Sequence, residues 1–328
     1  MMRWLRGMAP LALAGLIIVG ALMFVRWFNA YEAPGDHWAP AAPVAHELAR
    51  FSTDMGTPGD YRVQIEKLRS KFPLLFVEYQ PPGPVLDAIV HSDDGIVRLD
   101  EQFADEGDYR ISVQHVIHPG HREDIDFTVQ TPLSKYFVDV ALFALLLGGG
   151  YLSGRRLRAL SMAAVALLLG GIACAPAAWA HGGHGQPVEA LSAEDGELAI
   201  HWASGHAPRG PANRAPMDWR LKVLTHGHRV ERAAYALDFV HLETGLPVLH
   251  LEGVTVNGEI PLHYSPPDGT DYQLFVRLIA NGREHHLALE GAAEAIRPTP
   301  ARQWASFLVL MTPALIGMAW GWKRGSAA

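Results

Sequence analysis

Apolar positions along this chain fall into two textures. Four stretches are apolar almost without a break, Pro10 to Phe28, Val138 to Leu152, Ala159 to Ala180 and Ala305 to Trp322. Each approaches the roughly 20 apolar residues that carry a helix across a bilayer core. Between them the pattern shortens to runs of period two, punctuated by Gly, Pro, Asn and Asp, which predicts strands and turns. In the first polar segment these runs are Tyr61 to Ile65, Leu74 to Tyr79, Val85 to Val90, Tyr109 to Val116 and Asp124 to Val129, preceded by a short helical spacing over Val44 to Phe51. In the second they are Glu197 to Trp202, Trp219 to Leu224, Ala234 to His241, Leu249 to Val256, Tyr272 to Ala280 and Glu284 to Leu289. Asn281-Gly282 joins the last two, and both residue types accept the positive φ of a tight hairpin turn. A phrase recurs at Gly59-Asp60-Tyr61, Gly107-Asp108-Tyr109 and Gly269-Thr270-Asp271-Tyr272, each time a turn feeding a strand. Short strands at regular spacing predict an antiparallel sandwich in each polar segment.

The expected architecture is therefore four transmembrane α-helices plus two extramembrane all-β domains. The domains run 1–28 (tail and first span), 29–134 (first β-sandwich), 135–180 (second and third spans with a short loop), 181–303 (second β-sandwich) and 304–328 (fourth span and tail). A Pro-rich spacer, Pro34 to Pro43, opens the first β-sandwich. Charge orients this layout. Arg3 and Arg6 precede the first span, Arg155, Arg156 and Arg158 separate the second from the third, and Lys323 and Arg324 follow the fourth. By the positive-inside rule both polar segments lie outside, which predicts a multi-pass bacterial inner-membrane protein with two periplasmic β domains and the lipid bilayer and integral membrane proteins as partners. Aromatic residues such as Trp27, Tyr136, Trp179 and Trp304 sit at span ends, where an amphipathic ring is favoured. The formal net charge of −7 argues against a nucleic-acid partner, which needs clustered Lys and Arg.

The single cysteine, Cys174, lies in the third apolar stretch, so neither polar segment holds a disulfide or a Cys-based metal site. The first span lacks a small-x-small cleavage site and reads as an uncleaved anchor. The third has the three parts of a secretory signal in order, ending at Ala178-Trp179-Ala180. Either it is cleaved after Ala180, or it is a plain membrane helix.

The endings Glu106 to Val129 and Asp268 to Leu289, a turn, a Gly-x-Tyr-like phrase, a strand and a final strand, resemble those of the periplasmic immunoglobulin-like modules of the YtkA-like and FixH-like families. The resemblance implies immunoglobulin-like sandwiches in a membrane-tethered accessory protein near metal handling or oxidase assembly. It carries over no functional residue.

Candidate chemistry rests on histidine. All seventeen fall in the two polar segments. His181 and His184 open the second, and His115, His118 and His121 close a strand in the first. Neutral imidazoles on a Gly-containing segment can converge on copper or another transition metal, and cleavage after Ala180 would add a chelating amine at His181. The plainer alternative is that His115 faces one side of a strand while His118 and His121 belong to a turn. His226 and His228 read as turn residues, and His285 and His286 point to opposite faces of a strand. Asp139 is the only acid in an apolar stretch, close to its outer end. No Ser-His-Asp order, phosphate-binding glycine loop or His-Glu-x-x-His helix occurs, so an enzyme is not expected. Two functions remain: an accessory that binds or delivers copper or iron to a membrane partner, or a non-catalytic assembly or scaffold subunit with incidental histidines.

Overall fold

The computed structural model describes residues 43–70, 81–156, 192–205, 207–208, 216–280, 282–294 and 300–325. Among the described residues, six strands come from the first polar segment: β1 (Leu48–Asp54), β2 (Gly59–Ser70), β3 (Gly83–Ser92), β4 (Ile96–Gln102), β5 (Gly107–His115) and β6 (Arg122–Val129). The second contributes β7 (Ser192–Asp195), β8 (Leu198–Trp202), β9 (Met217–Asp218), β10 (Leu221–Thr225), β11 (His228–Arg229) and β12 (Ala234–His241). It continues with β13 (Pro247–Val254), β14 (Glu259–Ile260), β15 (Leu262–Tyr264), β16 (Asp271–Ala280) and β17 (Arg283–Ala292). Alternation sets their faces. Along β16, Tyr272, Leu274, Val276 and Leu278 are buried while Phe275 and Ile279 point out. The β16–β17 hairpin closes tightly, with Ala280 paired to Arg283 and Gly282 at φ 72°. The helical spacing over Val44 to Phe51 is overridden: from Leu48 the chain is strand β1. Its pairing with β4 turns Phe51 inward against Phe103 and Phe127, and tertiary packing of this kind outweighs local preference.

In the first lobe, β6-β5-β2-β3 form one layer and β1-β4 face it across the ring cluster of Phe51, Phe103, Tyr109 and Phe127. In the lettering used for β-sandwiches this is the order G-F-C-C′ opposed by B-E. The second lobe repeats it with β17-β16-β12-β13 as G-F-C-C′, while β9 and β10 supply B and β14 and β15 supply E. A further sheet, β11-β10-β8-β7, closes the second lobe over Trp202, Trp219 and Phe239.

The sheets continue from one lobe into the other. Strand β4 pairs antiparallel with β13, placing Glu101 opposite Leu249, Asp100 opposite His250 and Leu99 opposite Leu251. Strand β15 pairs antiparallel with β3, placing Leu262 opposite Ala88, His263 opposite Asp87 and Tyr264 opposite Leu86. Two six-stranded sheets result, β1-β4-β13-β12-β16-β17 and β6-β5-β2-β3-β15-β9. Each lobe covers the C′ edge of the other with its own E strand, and buried apolar residues of both lobes form one connected core.

The recurring Gly-Asp-Tyr phrase has a structural meaning. Tyr61, Tyr109 and Tyr272 each turn their hydroxyl back to donate to the carbonyl four residues upstream, on Thr57, Asp105 (3.0 Å) and Asp268 (2.8 Å). For Tyr109 and Tyr272, near the starts of the two F strands, the arrangement is that of a tyrosine corner, and Tyr61 repeats the bond on strand C.

Two helices are described, α1 (Leu133–Arg156) and α2 (Pro300–Gly325). They lie backbone to backbone: a Cβ on Gly150, Gly154 or Gly317 would overlap a carbonyl of the other helix, and Tyr151 packs on Trp320. Here the expectation of four transmembrane helices is corrected. Among the described residues no helix is long and apolar enough to cross a membrane. The apolar run of α1 falls short of about 20 residues and is diluted by Asp139, Gly148, Gly149 and Gly150, and that of α2 by Thr312, Pro313, Gly317 and Gly321. The multi-pass inner-membrane localisation built on those spans loses its support with them. The runs Pro10 to Phe28, Leu74 to Tyr79 and Ala159 to Ala180 lie outside the described residues.

The Tyr272 hydroxyl also accepts from the Asp268 amide at 3.1 Å. Tyr272→Phe deprives both backbone groups of their partner and is expected to cost about 1–2 kcal/mol. Urea denaturation measures it, and an unchanged midpoint would show that the corner does not stabilise the second lobe.

Candidate functional site

Strands β5 and β6 are joined by residues 116–121, all exposed. The segment is nevertheless tightly tied. His115, the last residue of β5, is buried, and its Nδ1 accepts from the backbone amides of Ile117 (3.1 Å) and His118 (3.3 Å). A neutral ring that accepts at Nδ1 carries its proton on Nε2. That edge faces Gly59, where a Cβ would stand 2.7 Å from Nε2, so only glycine leaves room for the ring. The imidazole also meets the edge of Tyr61, with ring centres 5.1 Å apart.

Backbone bonds complete the tether. The Val116 amide donates to the Asp60 carbonyl (2.9 Å), the His121 amide to the His118 carbonyl (2.9 Å) and the His115 amide to the His121 carbonyl (3.0 Å). The Gln114 side-chain amide donates to the Pro119 carbonyl at 2.8 Å. Pro119 holds the second position of the turn, where its fixed φ suits the bend. The result is a braced loop whose tip carries two apolar side chains, Val116 at 46% and Ile117 at 73% exposure. Beside it, His91 bridges Asp60 (2.7 Å) and Asp93 (2.9 Å), and Arg232 from the second lobe reaches within 3.7 Å of Asp60.

Of the histidines singled out from the sequence, those among the described residues do not form one cluster. His181 and His184 lie outside the described residues. His115 is buried with Nδ1 engaged by the backbone, while His118 and His121 are exposed, although the rings of His115 and His118 lie 5.0 Å apart. Among the described residues no group of three or more His, Cys, Asp or Glu is arranged to hold a metal ion. His226 sits in a turn at φ 51° and contacts Glu197 at 2.9 Å. The outward turn of Val116 and Ile117 escaped the sequence pattern, which places Val116 inside a strand; the Pro119-Gly120 pair was the available signal that the chain had already left it.

No family model matches the chain, and no curated protein matches it. Among solved structures it is similar to one described as "Biofilm associated protein - BSP domain", at 9% identity and a TM-score of 0.18, over 79% of this chain. The chain spans 29% of that protein's length, and so slight a likeness carries no argument about fold or function.

His115→Ala removes the acceptor of two loop amides. Amide exchange at Ile117 and His118 is expected to accelerate at least about tenfold, with a loss of about 1–2 kcal/mol in stability. Unchanged exchange at those two amides would show that the ring does not brace the loop.

Proposed function

We propose that this chain is a non-catalytic protein-interaction module, a scaffold that contacts its partner through the β5–β6 loop. The observation that carries this reading is the exposure of Ile117 at 73% on a loop fixed by a buried histidine and by backbone hydrogen bonds. Isolated exposed apolar residues are common, so exposure alone does not set Ile117 apart. Here the backbone beneath the side chain is already ordered, so a partner that buries it does not have to supply the entropy of fixing the loop.

The strand exchange between lobes supports the same reading, because it makes one rigid body of two sandwiches and so holds the loop in a set direction. Binding residues concentrate on loops carried by such frameworks. The partner surface that fits is a shallow apolar pocket with hydrogen-bond acceptors at its rim, where His118, His121 and Arg122 would lie. Metal delivery draws its remaining support from His181 and His184, and His115, with Nδ1 held by loop amides, serves the fold instead.

The expected contribution of a buried Ile side chain is about 1.5–3 kcal/mol, roughly ten- to hundredfold in affinity. A photo-reactive residue at position 116 of the full chain should therefore give a discrete protein adduct that Ile117→Asp diminishes by that factor. The same group at the outward-facing position 279 serves as control. An adduct that survives Ile117→Asp, or that forms equally from position 279, would remove the loop as the contact site.

A further inference from the structure

The joint between the lobes contains a carboxyl group where an apolar side chain is expected. Along β4 and the residue that follows it, Val97, Leu99, Glu101 and Phe103 alternate inward, and Glu101 is as buried as its neighbours at 1% exposure. It sits in the shared sheet between Ala49 of β1 and Leu249 of β13. Its Oε1 accepts from the hydroxyl of Tyr264 at 3.1 Å, and its Oε2 has no partner. Tyr264 belongs to β15, the E strand of the second lobe. The two E strands that cross between lobes therefore meet at this bond.

The titratable groups around Glu101 offer no charge to balance it. Tyr264 faces it from β15 and Tyr109 from β5. Behind Tyr109 lie Asp105 and Glu106, with Lys67 bonded to Asp105 and placed 5.5 Å from the centre of the Tyr109 ring. Behind Tyr264 lie Tyr272 and Asp268. Burial pushes the Glu101 carboxyl well above the usual range, and the Tyr264 bond pulls it only partly back. Burial likewise pushes the Tyr264 phenol up, with the neighbouring Glu101 adding to it. Both directions favour a neutral acid against a neutral phenol.

We propose that Glu101 makes the joint between the lobes a proton-operated latch, closed while its carboxyl is neutral and loosened when the carboxyl gives its proton to solvent and becomes hydrated. The short pairings β4–β13 and β3–β15 are the elements that part, and the opened state exposes Glu101 to water. The sign follows from linkage. A carboxyl that holds its proton more tightly in the closed state than in water adds nothing against closure below about pH 4.3, the free glutamate value. Above that, opening releases a proton and is favoured about tenfold more for each pH unit, until the closed carboxyl itself ionises. Among the described residues, the outward carboxylates Asp94, Asp124, Asp126 and Asp218 are held below their usual range: burial opposes this, most at Asp124 and Asp218, and is outweighed by hydrogen bonds and charge from Arg98, Arg122, Arg110 and Arg220, joined by a serine at Asp94 and Asp124. Their contribution is lost on acidification, the opposite dependence, so the latch is separable from them by pH.

Amide exchange of the full chain between pH 5 and pH 8.5, compared with Glu101→Gln at each pH so that intrinsic rates cancel, tests this. Peptides covering β3, β4, β13 and β15 should lose protection in the wild type by about tenfold per pH unit relative to Glu101→Gln, while peptides from the β5–β6 hairpin keep equal protection in both. An equal protection ratio at every pH, or a loss spread evenly over all peptides, would overturn the latch. Should Glu101→Gln not fold, Tyr264→Phe provides the second arm. It removes the one donor that favours the carboxylate, so the tenfold slope at the joint should persist to higher pH, and its disappearance would count against the proposal.

Discussion

Strands β3 and β13 each end a four-stranded sheet, and an uncovered edge of that length is a row of backbone donors and acceptors open to any other chain. In this molecule the two edges are covered by the same device used twice. The E strand of each lobe leaves its own partner on one side and pairs with the C′ edge of the other lobe. Each pairing involves three residues, so backbone bonding alone, at a net of about 0.5–1.5 kcal/mol per bond, would give a modest attachment. What makes it firm is that the apolar residues behind the paired strands share one core. Separating the lobes would expose both the edges and that core.

Side chains at the joints fix the register that the backbone leaves open. Tyr235 of β12 donates across to the Ile89 carbonyl of β3 at 2.9 Å, and Tyr264 donates to Glu101. On the outer faces each joint sets a histidine against an aspartate, His250 opposite Asp100 and His263 opposite Asp87. His250 also bonds Asp238 at 2.7 Å. A one-residue slip would turn every one of these groups to the wrong face. The braced β5–β6 loop inherits its direction from this arrangement, since β5 and β6 belong to the sheet that β15 extends.

Much of the strand content is legible in the sequence, because period-two alternation depends only on which face is buried. The run Ala234 to His241 coincides with β12, and β16 and β17 form a hairpin with Gly282 at positive φ, as the sequence pattern requires. The Gly-Asp-Tyr phrases marked three turns correctly but did not reveal the hydroxyl-to-carbonyl bonds that give them a purpose. Strand β4 was missed, since Arg98, Asp100, Glu101 and Gln102 make it look like a solvated loop; the inward series Val97, Leu99, Phe103 was the signal, with Glu101 hidden inside it. Pairing between lobes was out of reach, because a strand's own pattern does not say which distant edge it will meet. The helices failed for a different reason: apolar composition over a stretch does not establish the sustained length and hydropathy that a membrane span requires.

A buried carboxyl at the meeting point of two lobes is an expensive choice, since an apolar pair, leucine facing phenylalanine, would leave no polar atom unpartnered, and replacing buried polar pairs by apolar ones is often stabilising. Its position suggests what the polar pair achieves instead. The corresponding inward positions of the two E strands are unlike, Glu101 in one lobe and Tyr264 in the other. If two first lobes exchanged strands, two carboxyls would be buried at one point; if two second lobes did so, two bulky phenols would compete for one space. Only the pairing of a first lobe with a second sets a phenol donor against a single buried carboxyl. The same group that makes the joint sensitive to protons therefore also selects the partner, and the edges that could have joined separate chains are matched to each other within one.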